Sequence, residues 1–196
     1  MAAPARVAAF EALVAIESNA ADLPAALERA RRALPDERDR ALAAEIATGT
    51  LRWQAELDFL IDAAADRPER LTREVRTLLR LSSYQIVHLD RVPARAIVHD
   101  AVDMARERGQ AAAAGLVNAV LRRLADPARR PPLPGPASPL DYLAVTCSMP
   151  RWLAARWLDR YGPEGAAAWA RFCTGPAPIV VRANRLRTTR DRLAAS

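Results

Sequence analysis

The segment from Ser83 to Arg123 constrains the fold most, because it has the pattern of three helices joined by two tight breaks. Val92-Pro93 predicts a sharp turn, since proline restricts the residue before it and disrupts a helix interior. Gly109 is a typical residue just beyond a helix end. Between these breaks, apolar residues follow a helical spacing at Ile97, Val98, Ala101, Val102 and Ala105. The segment therefore predicts packed helices rather than a sheet.

Helical periodicity also fills the rest of the first part of the chain. The run from Arg6 to about Ser18 predicts an amphipathic helix, and Asp22 and Thr72 are predicted N-caps of later helices. Gly49 lies inside a long helical pattern, where glycine costs about 1 kcal/mol relative to alanine, so it indicates either a kink or the close approach of another backbone. Alanine is abundant and β-prone residues are sparse. We therefore predict an all-α bundle over residues 1–125.

The composition changes after the bundle. Residues 126–139 read DPARRPPLPGPASP, and such repeated proline predicts a stiff, extended linker. Residues 140–196 predict further helices, with Ser148 as an N-cap and a break at Gly162, and a strand over residues 178–184. Because one strand without a partner is not a stable sheet, we expect this unit to be the incomplete start of an α+β subdomain.

The charge of the chain favours an anionic partner. All 29 basic residues are arginine, there are 23 acidic residues, and the formal net charge is +6. A strongly basic balance is typical of proteins that bind polyanions, of which nucleic acid is the commonest. The alternative is that these arginines are solvated on helix faces and paired with acidic neighbours.

The sequence gives no indication of a metal site, a secretory signal or a membrane span. Cys147 and Cys173 lie far apart and have no nearby histidine, so they do not have the spacing of metal ligands or of a disulfide framework. No apolar run suits a signal peptide or a transmembrane helix. We therefore expect a cytoplasmic protein that binds neither metal nor membrane.

Several motifs resemble a known family. The runs GTLRW (residues 49–53), YQIVHLDRVP (84–93) and AGLVNAVLRR (114–123) resemble the N-terminal region of the RsmB family of bacterial 16S rRNA cytosine-C5 methyltransferases, also called Sun or Fmu. The antitermination factor NusB is similar in this helical region. The runs SMPRWL (148–153) and VRAN (181–184) resemble the segment that joins the helical domain to the methyltransferase domain, for which NusB has no equivalent.

The resemblance implies that RNA binding and catalysis belong to different domains of a longer protein. In that family a Rossmann-like domain downstream of the VRAN-like run binds S-adenosylmethionine and carries two catalytic cysteines. We therefore expect this chain to hold neither the cofactor site nor those cysteines, and to end before the catalytic domain. Its implied function is to bind RNA and help dock 16S rRNA.

The candidate RNA contacts are arginines, because a guanidinium offers several donors to phosphate and stacks on bases. Arg6 matches the start of the first NusB-like helix, where NusB carries an arginine cluster of which this chain keeps one member. The full set is Arg6, Arg40, Arg52, Arg122 and Arg123. His88 and His99 are expected to be structural or exposed, and Trp152 and Trp157, which lie among leucines, are expected in a core.

Two other functions remain open from the sequence. A NusB-like antitermination factor would bind RNA and a ribosomal protein. A protein-interaction scaffold would carry the same charge without binding RNA.

Overall fold

The computed structural model describes residues 2–175 and 180–195. Within them the first part of the chain is a bundle of seven α-helices, as the periodicity predicts. These helices are α1 (Pro4–Glu17), α2 (Leu23–Ala33), α3 (Glu37–Arg52), α4 (Gln54–Ala64), α5 (Arg73–His88), α6 (Ala94–Glu107) and α7 (Ala114–Ala125). Two short 3₁₀ turns, Pro68–Arg70 and Ala111–Ala113, precede α5 and α7.

The predicted helix boundaries have the expected chemistry. The Asp22 carboxylate accepts a hydrogen bond from the backbone N–H of Ala25 at 2.9 Å, and the Thr72 hydroxyl accepts one from Val75 at 3.3 Å. Both interactions satisfy N–H groups that a helix start leaves without a partner. Gly109 has φ +75°, the left-handed conformation that favours glycine after a helix end.

The long helical pattern around Gly49 is two helices, because the chain turns at Trp53 between α3 and α4. Gly49 itself lies inside α3, and the atoms nearest to the position of its missing Cβ belong to a side chain and not to another backbone. A Cβ at this position would lie 1.9 Å from Cζ of Tyr84, so the glycine makes room for an aromatic ring.

The core of the bundle lies between α1, α3, α5, α6 and α7. Helix α5 is central, since it packs against α1, α3, α4, α6 and α7. Fully buried aliphatic side chains from α5 and the surrounding helices meet there, including Leu13, Ile46, Leu79, Leu121 and Leu124. Each contributes roughly 1.5–3 kcal/mol of burial free energy, which is how these amphipathic helices become stable.

The proline-rich segment 126–139 contacts the parts of the chain on both sides of it. Leu133 packs against the bundle core, and Arg130 Nε donates to the carbonyl of Leu124 at 3.0 Å. Further along, the hydroxyl of Thr146 donates to the carbonyl of Pro134 at 2.7 Å. These contacts hold the segment against its neighbours.

A second, smaller helical unit follows. It contains α8 (Pro139–Asp141), which continues into a π-helical turn at Tyr142–Thr146, and α9 (Arg151–Thr174). Gly162 interrupts α9 with φ +67°, at the break that the sequence predicts. This unit has its own core, formed by Leu143, Cys147, Ala154, Ala166 and Ala170.

Ser148 has a different role from the one predicted. Its side chain does not cap α9, whose N-cap position is Pro150. Instead Ser148 Oγ accepts hydrogen bonds from the backbone N–H groups of Ala55 at 2.8 Å and Glu56 at 3.3 Å. A residue of the second unit therefore caps α4 of the bundle, and its backbone adopts φ +52° to do so.

We expect Ser148→Ala to destabilise the protein by about 1 kcal/mol, since removal of an N-cap hydroxyl costs about 0.5–2 kcal/mol. Urea unfolding measures this change. Thr189→Ala is the matched control, because its hydroxyl caps only the short, exposed α10 (Arg190–Ala194), accepting from Arg192 at 3.3 Å. Equal effects of the two substitutions would contradict a role for Ser148 in joining the units.

The predicted strand over residues 178–184 is wrong where the structure describes it. Residues 180–184 have no regular secondary structure, and Pro178 and Ile179 lie outside the described residues. No other strand occurs in residues 2–175 or 185–195, so the backbone of 180–184 has no ladder to join.

In the described part of the chain, no helix is long and apolar enough to cross a membrane. The same residues contain no group of three or more histidine, cysteine or acidic side chains placed to hold a metal ion.

Candidate RNA-binding surface

Arg6 is buried beneath the surface of the bundle. Its guanidinium forms an ion pair with Asp100 of α6, and its Nε donates to Gln85 Oε1 of α5 at 2.8 Å. The same Asp100 carboxylate accepts a hydrogen bond from the backbone N–H of Ala3 at 3.0 Å. Arg6 therefore joins α1 to α5 and α6 and uses its Nε and one terminal nitrogen within the bundle. Its contact with RNA stays a prediction.

Arg40 also folds back onto its own part of the bundle. Its Nε donates to the carbonyl of Leu34 at 2.6 Å, and its Nη1 donates to the Glu37 carboxylate at 3.1 Å. Arg123 donates to the carbonyl of Ala64 at 3.1 Å, although its side chain is exposed. Both residues therefore use some of their hydrogen-bond donors within the bundle.

Arg52 and Arg122 are the predicted contacts that remain most available. Both are exposed, and neither forms an ion pair among the described residues. Arg122 lies beside Arg95 in a groove of about 670 Å³ between α6 and α7. Arg52 lies at the last turn of α3, near Tyr84. The structure thus does not bring the five predicted arginines together into one site.

The net charge is distributed unevenly along the chain. Residues 1–125 contain 18 arginines and 18 acidic residues and are formally neutral. Residues 126–196 contain 11 arginines and five acidic residues, so they carry the whole net charge of +6. This difference in net charge between the two parts can be found by counting charged residues in each segment. The motifs alone did not predict it.

Many arginines of the bundle form ion pairs with acidic side chains. Arg80 contacts Glu17 and Asp58 at 2.7 Å each, and Arg76 contacts Asp58 and Asp62. The carboxylates around Arg80 raise its pKa even though its burial opposes the charged form. These arginines stabilise helix contacts and are not free to bind a polyanion.

The arginines of the second unit are mostly unpaired. Arg151 forms an ion pair with Asp141 at 2.7 Å. The other exposed arginines in the described part of this unit make no ion pair, including Arg156, Arg160, Arg182, Arg185 and Arg187. Unpaired guanidinium groups on a positively charged segment are typical of a phosphate-binding surface. None of them was predicted as a contact.

Aromatic side chains accompany these arginines at the surface. Trp152 is 68% exposed and Trp169 is 48% exposed, so the expectation that Trp152 belongs to a core is wrong. Trp157 is partly buried and packs against the second core, as expected.

The histidines and cysteines do not form a catalytic arrangement in the described residues. His88 stacks between the rings of Trp53 and Tyr84, with Nε2 3.2 Å from the buried carboxylate of Glu56. Exposed His99 lies beside Asp103 on α6. Burial raises the pKa of the Cys147 thiol, which keeps it protonated and unreactive.

Comparison with known proteins relates this architecture to two kinds of bacterial protein. Residues 3–126 match the NusB family. The probable ribosomal RNA small subunit methyltransferase B of Bacillus subtilis is 34% identical over 187 residues, covering 94% of this chain and 41% of that protein. The ribosomal RNA small subunit methyltransferase B of Thermus thermophilus is 39% identical over 160 residues, covering 81% and 36%.

The transcription antitermination protein NusB of Nitrobacter hamburgensis is 38% identical over 133 residues. That match covers 62% of this chain and 83% of the NusB protein. The chain therefore spans about two fifths of the length of the methyltransferases and most of the length of this NusB.

Proposed function

Because the chain belongs to the NusB family over residues 3–126, we propose that it is the RNA-binding N-terminal part of a 16S rRNA cytosine-C5 methyltransferase. Its similarity to ribosomal RNA small subunit methyltransferase B extends through the second unit, beyond the region that matches the NusB family. The observation that carries the proposal is the location of the whole net charge in residues 126–196.

The two units then have different tasks. The neutral bundle holds the second unit in a fixed orientation through the Ser148 cap on α4. The second unit supplies the unpaired arginines that neutralise phosphate, and Arg52 and Arg122 extend this contact onto the bundle. Methyl transfer from S-adenosylmethionine and the attack of a cysteine thiolate on cytosine belong to a catalytic domain outside this chain. We expect the 196-residue chain alone to transfer no methyl group to 16S rRNA.

Salt-dependent binding to a 16S rRNA fragment tests this proposal. Each phosphate contact to single-stranded RNA contributes about 0.7 to the slope of log K against log salt concentration. Replacing Arg182, Arg185 and Arg187 together with glutamine is therefore expected to reduce the magnitude of the slope by about 2, because roughly 0.7 is lost per residue. Fluorescence anisotropy at a series of salt concentrations measures the slope.

A matched control removes the same charge from the bundle. Arg29, Arg38 and Arg91 are exposed and make no ion pair among the described residues. Their joint replacement with glutamine is expected to leave the slope nearly unchanged. Equal losses from both triple variants would refute the assignment to the second unit, and the absence of salt-dependent binding would refute the RNA-binding function.

The alternative is a NusB-like antitermination factor that binds RNA and a ribosomal protein. The match of this chain to 83% of a transcription antitermination protein favours it. A transcription assay distinguishes the two functions, since an antitermination factor increases read-through of a terminator and an rRNA-docking domain does not.

A further inference from the structure

Helix α9 presents several aromatic rings at its surface. Trp169 and Phe172 are 48% and 66% exposed, and their rings stack with a centroid separation of 5.4 Å and an interplanar angle of 15°. Trp157 meets Trp169 edge-on at 6.5 Å, and Tyr161, 49% exposed, lies one helical turn beyond Trp157. We call these four residues, together with Arg156 and Arg160, the aromatic–arginine surface.

The packing of α9 does not require the exposed rings. The side chains that α9 buries completely are small, namely Ala154, Ala166 and Ala170. They pack against Leu143 and Cys147, while the large rings of Trp169 and Phe172 lie outside. Large exposed rings in contact with one another, as Trp169 and Phe172 are, mark a binding surface.

The charge beside the rings indicates what binds there. Arg156 and Arg160 are one helical turn apart, both are exposed, and neither forms an ion pair among the described residues. The Arg160 guanidinium lies 5.4 Å from the centroid of the Tyr161 ring. Unpaired cations next to exposed rings are complementary to a ligand that has both phosphates and flat aromatic groups.

We propose that the aromatic–arginine surface binds unpaired bases of RNA. The exposed faces of Trp169 and Phe172 stack on bases, and Arg156 and Arg160 contact the flanking phosphates. The inference rests on the proposed RNA-binding function and deepens it, since it specifies single-stranded segments rather than a duplex. A base in a duplex is already stacked on both faces and has none free for these rings.

Binding of the 196-residue chain to a 12-nucleotide oligouridylate, and to a blunt RNA duplex of equal length, tests the inference. We expect the single strand to bind more tightly and to quench tryptophan fluorescence. Phe172→Ala is expected to weaken single-strand binding by about 5- to 150-fold, the cost of one lost base–aromatic stack, and to leave duplex binding unchanged. Phe172→Trp restores a ring and is expected to retain the affinity.

Charge removal supplies a second measurement. Arg156→Gln with Arg160→Gln is expected to reduce the salt slope by about 1.4, or roughly 0.7 for each lost phosphate contact. Its matched control is Arg29→Gln with Arg38→Gln, which removes the same charge from two exposed bundle arginines that make no ion pair among the described residues. We expect that control to bind oligouridylate as the unsubstituted chain does.

The outcomes separate this inference from the proposed function. If the chain binds RNA but Phe172→Ala and the Arg156/Arg160 variant bind as tightly, the inference is overturned and the RNA-binding function stands. If no RNA binds, both fail. If Phe172→Ala abolishes self-association in sedimentation velocity while RNA affinity is unchanged, the surface belongs to an interface between copies of this chain.

Discussion

Asp100→Ala is expected to destabilise the bundle by about 3–5 kcal/mol, the usual cost of removing one partner of a buried ion pair. The substitution leaves the Arg6 guanidinium buried without its carboxylate, and Gln85 then supplies its one remaining side-chain hydrogen bond. The Ala3 N–H loses its acceptor as well. Chemical denaturation followed by circular dichroism measures the change.

Two controls identify the cause of that loss. Arg32→Ala removes one member of an exposed pair with Glu28 and is expected to cost about 0.5 kcal/mol or less. Arg6→Met combined with Asp100→Leu replaces both buried charges with apolar groups and is expected to be less destabilising than Asp100→Ala alone. If the double variant were the less stable of the two, an uncompensated charge would not be the cause.

The same ion pair gives Arg6 a structural role that was not predicted from the sequence. Its position at the start of α1 matched an RNA-binding position of a related protein. Its ion pair depends on Asp100, which is 94 residues away in the chain and meets Arg6 only in the folded bundle. A contact of that separation leaves no local pattern in the sequence.

Local signals were reliable wherever their physical cause was also local. The caps at Asp22 and Thr72 and the breaks at Gly109 and Gly162 depend on a few neighbouring residues, and each is present. Ser148 has the correct chemistry for a cap, but the helix that it caps is α4 and not the next one. The choice between two helix starts depends on tertiary packing, which spacing does not encode.

The candidate site follows the same rule. The uneven distribution of charge can be found by counting charged residues in each segment, and it identifies the second unit as the basic one. The exposure of Trp152 and Trp169 could not be predicted, because the residues that α9 buries completely are alanines and these two rings point outward. Apolar periodicity predicts that large residues are buried, so it misassigned Trp152.

Gly49→Ala is expected to destabilise the protein by about 2–4 kcal/mol, above the usual 1–3 kcal/mol of overpacking because a partly buried hydrogen bond is strained as well. The new Cβ would lie 1.9 Å from Cζ and 2.2 Å from the hydroxyl oxygen of Tyr84, so the ring must move. That ring is buried, and its hydroxyl donates to Glu45 at 2.5 Å. Burial and the Glu45 carboxylate both raise the pKa of Tyr84, so the bond is made by the neutral phenol.

Gly115→Ala is the matched control, because a Cβ there would have no atom within 4 Å and the residue also lies in a helix. It is expected to stabilise the protein by up to about 1 kcal/mol through helix propensity alone. A double-mutant cycle with Tyr84→Leu then tests the mechanism by urea denaturation. Since leucine removes the colliding ring atoms, we expect Gly49→Ala to cost much less in the Tyr84→Leu background. An equal cost in both backgrounds would show that Gly49 is required for a reason other than the Tyr84 ring.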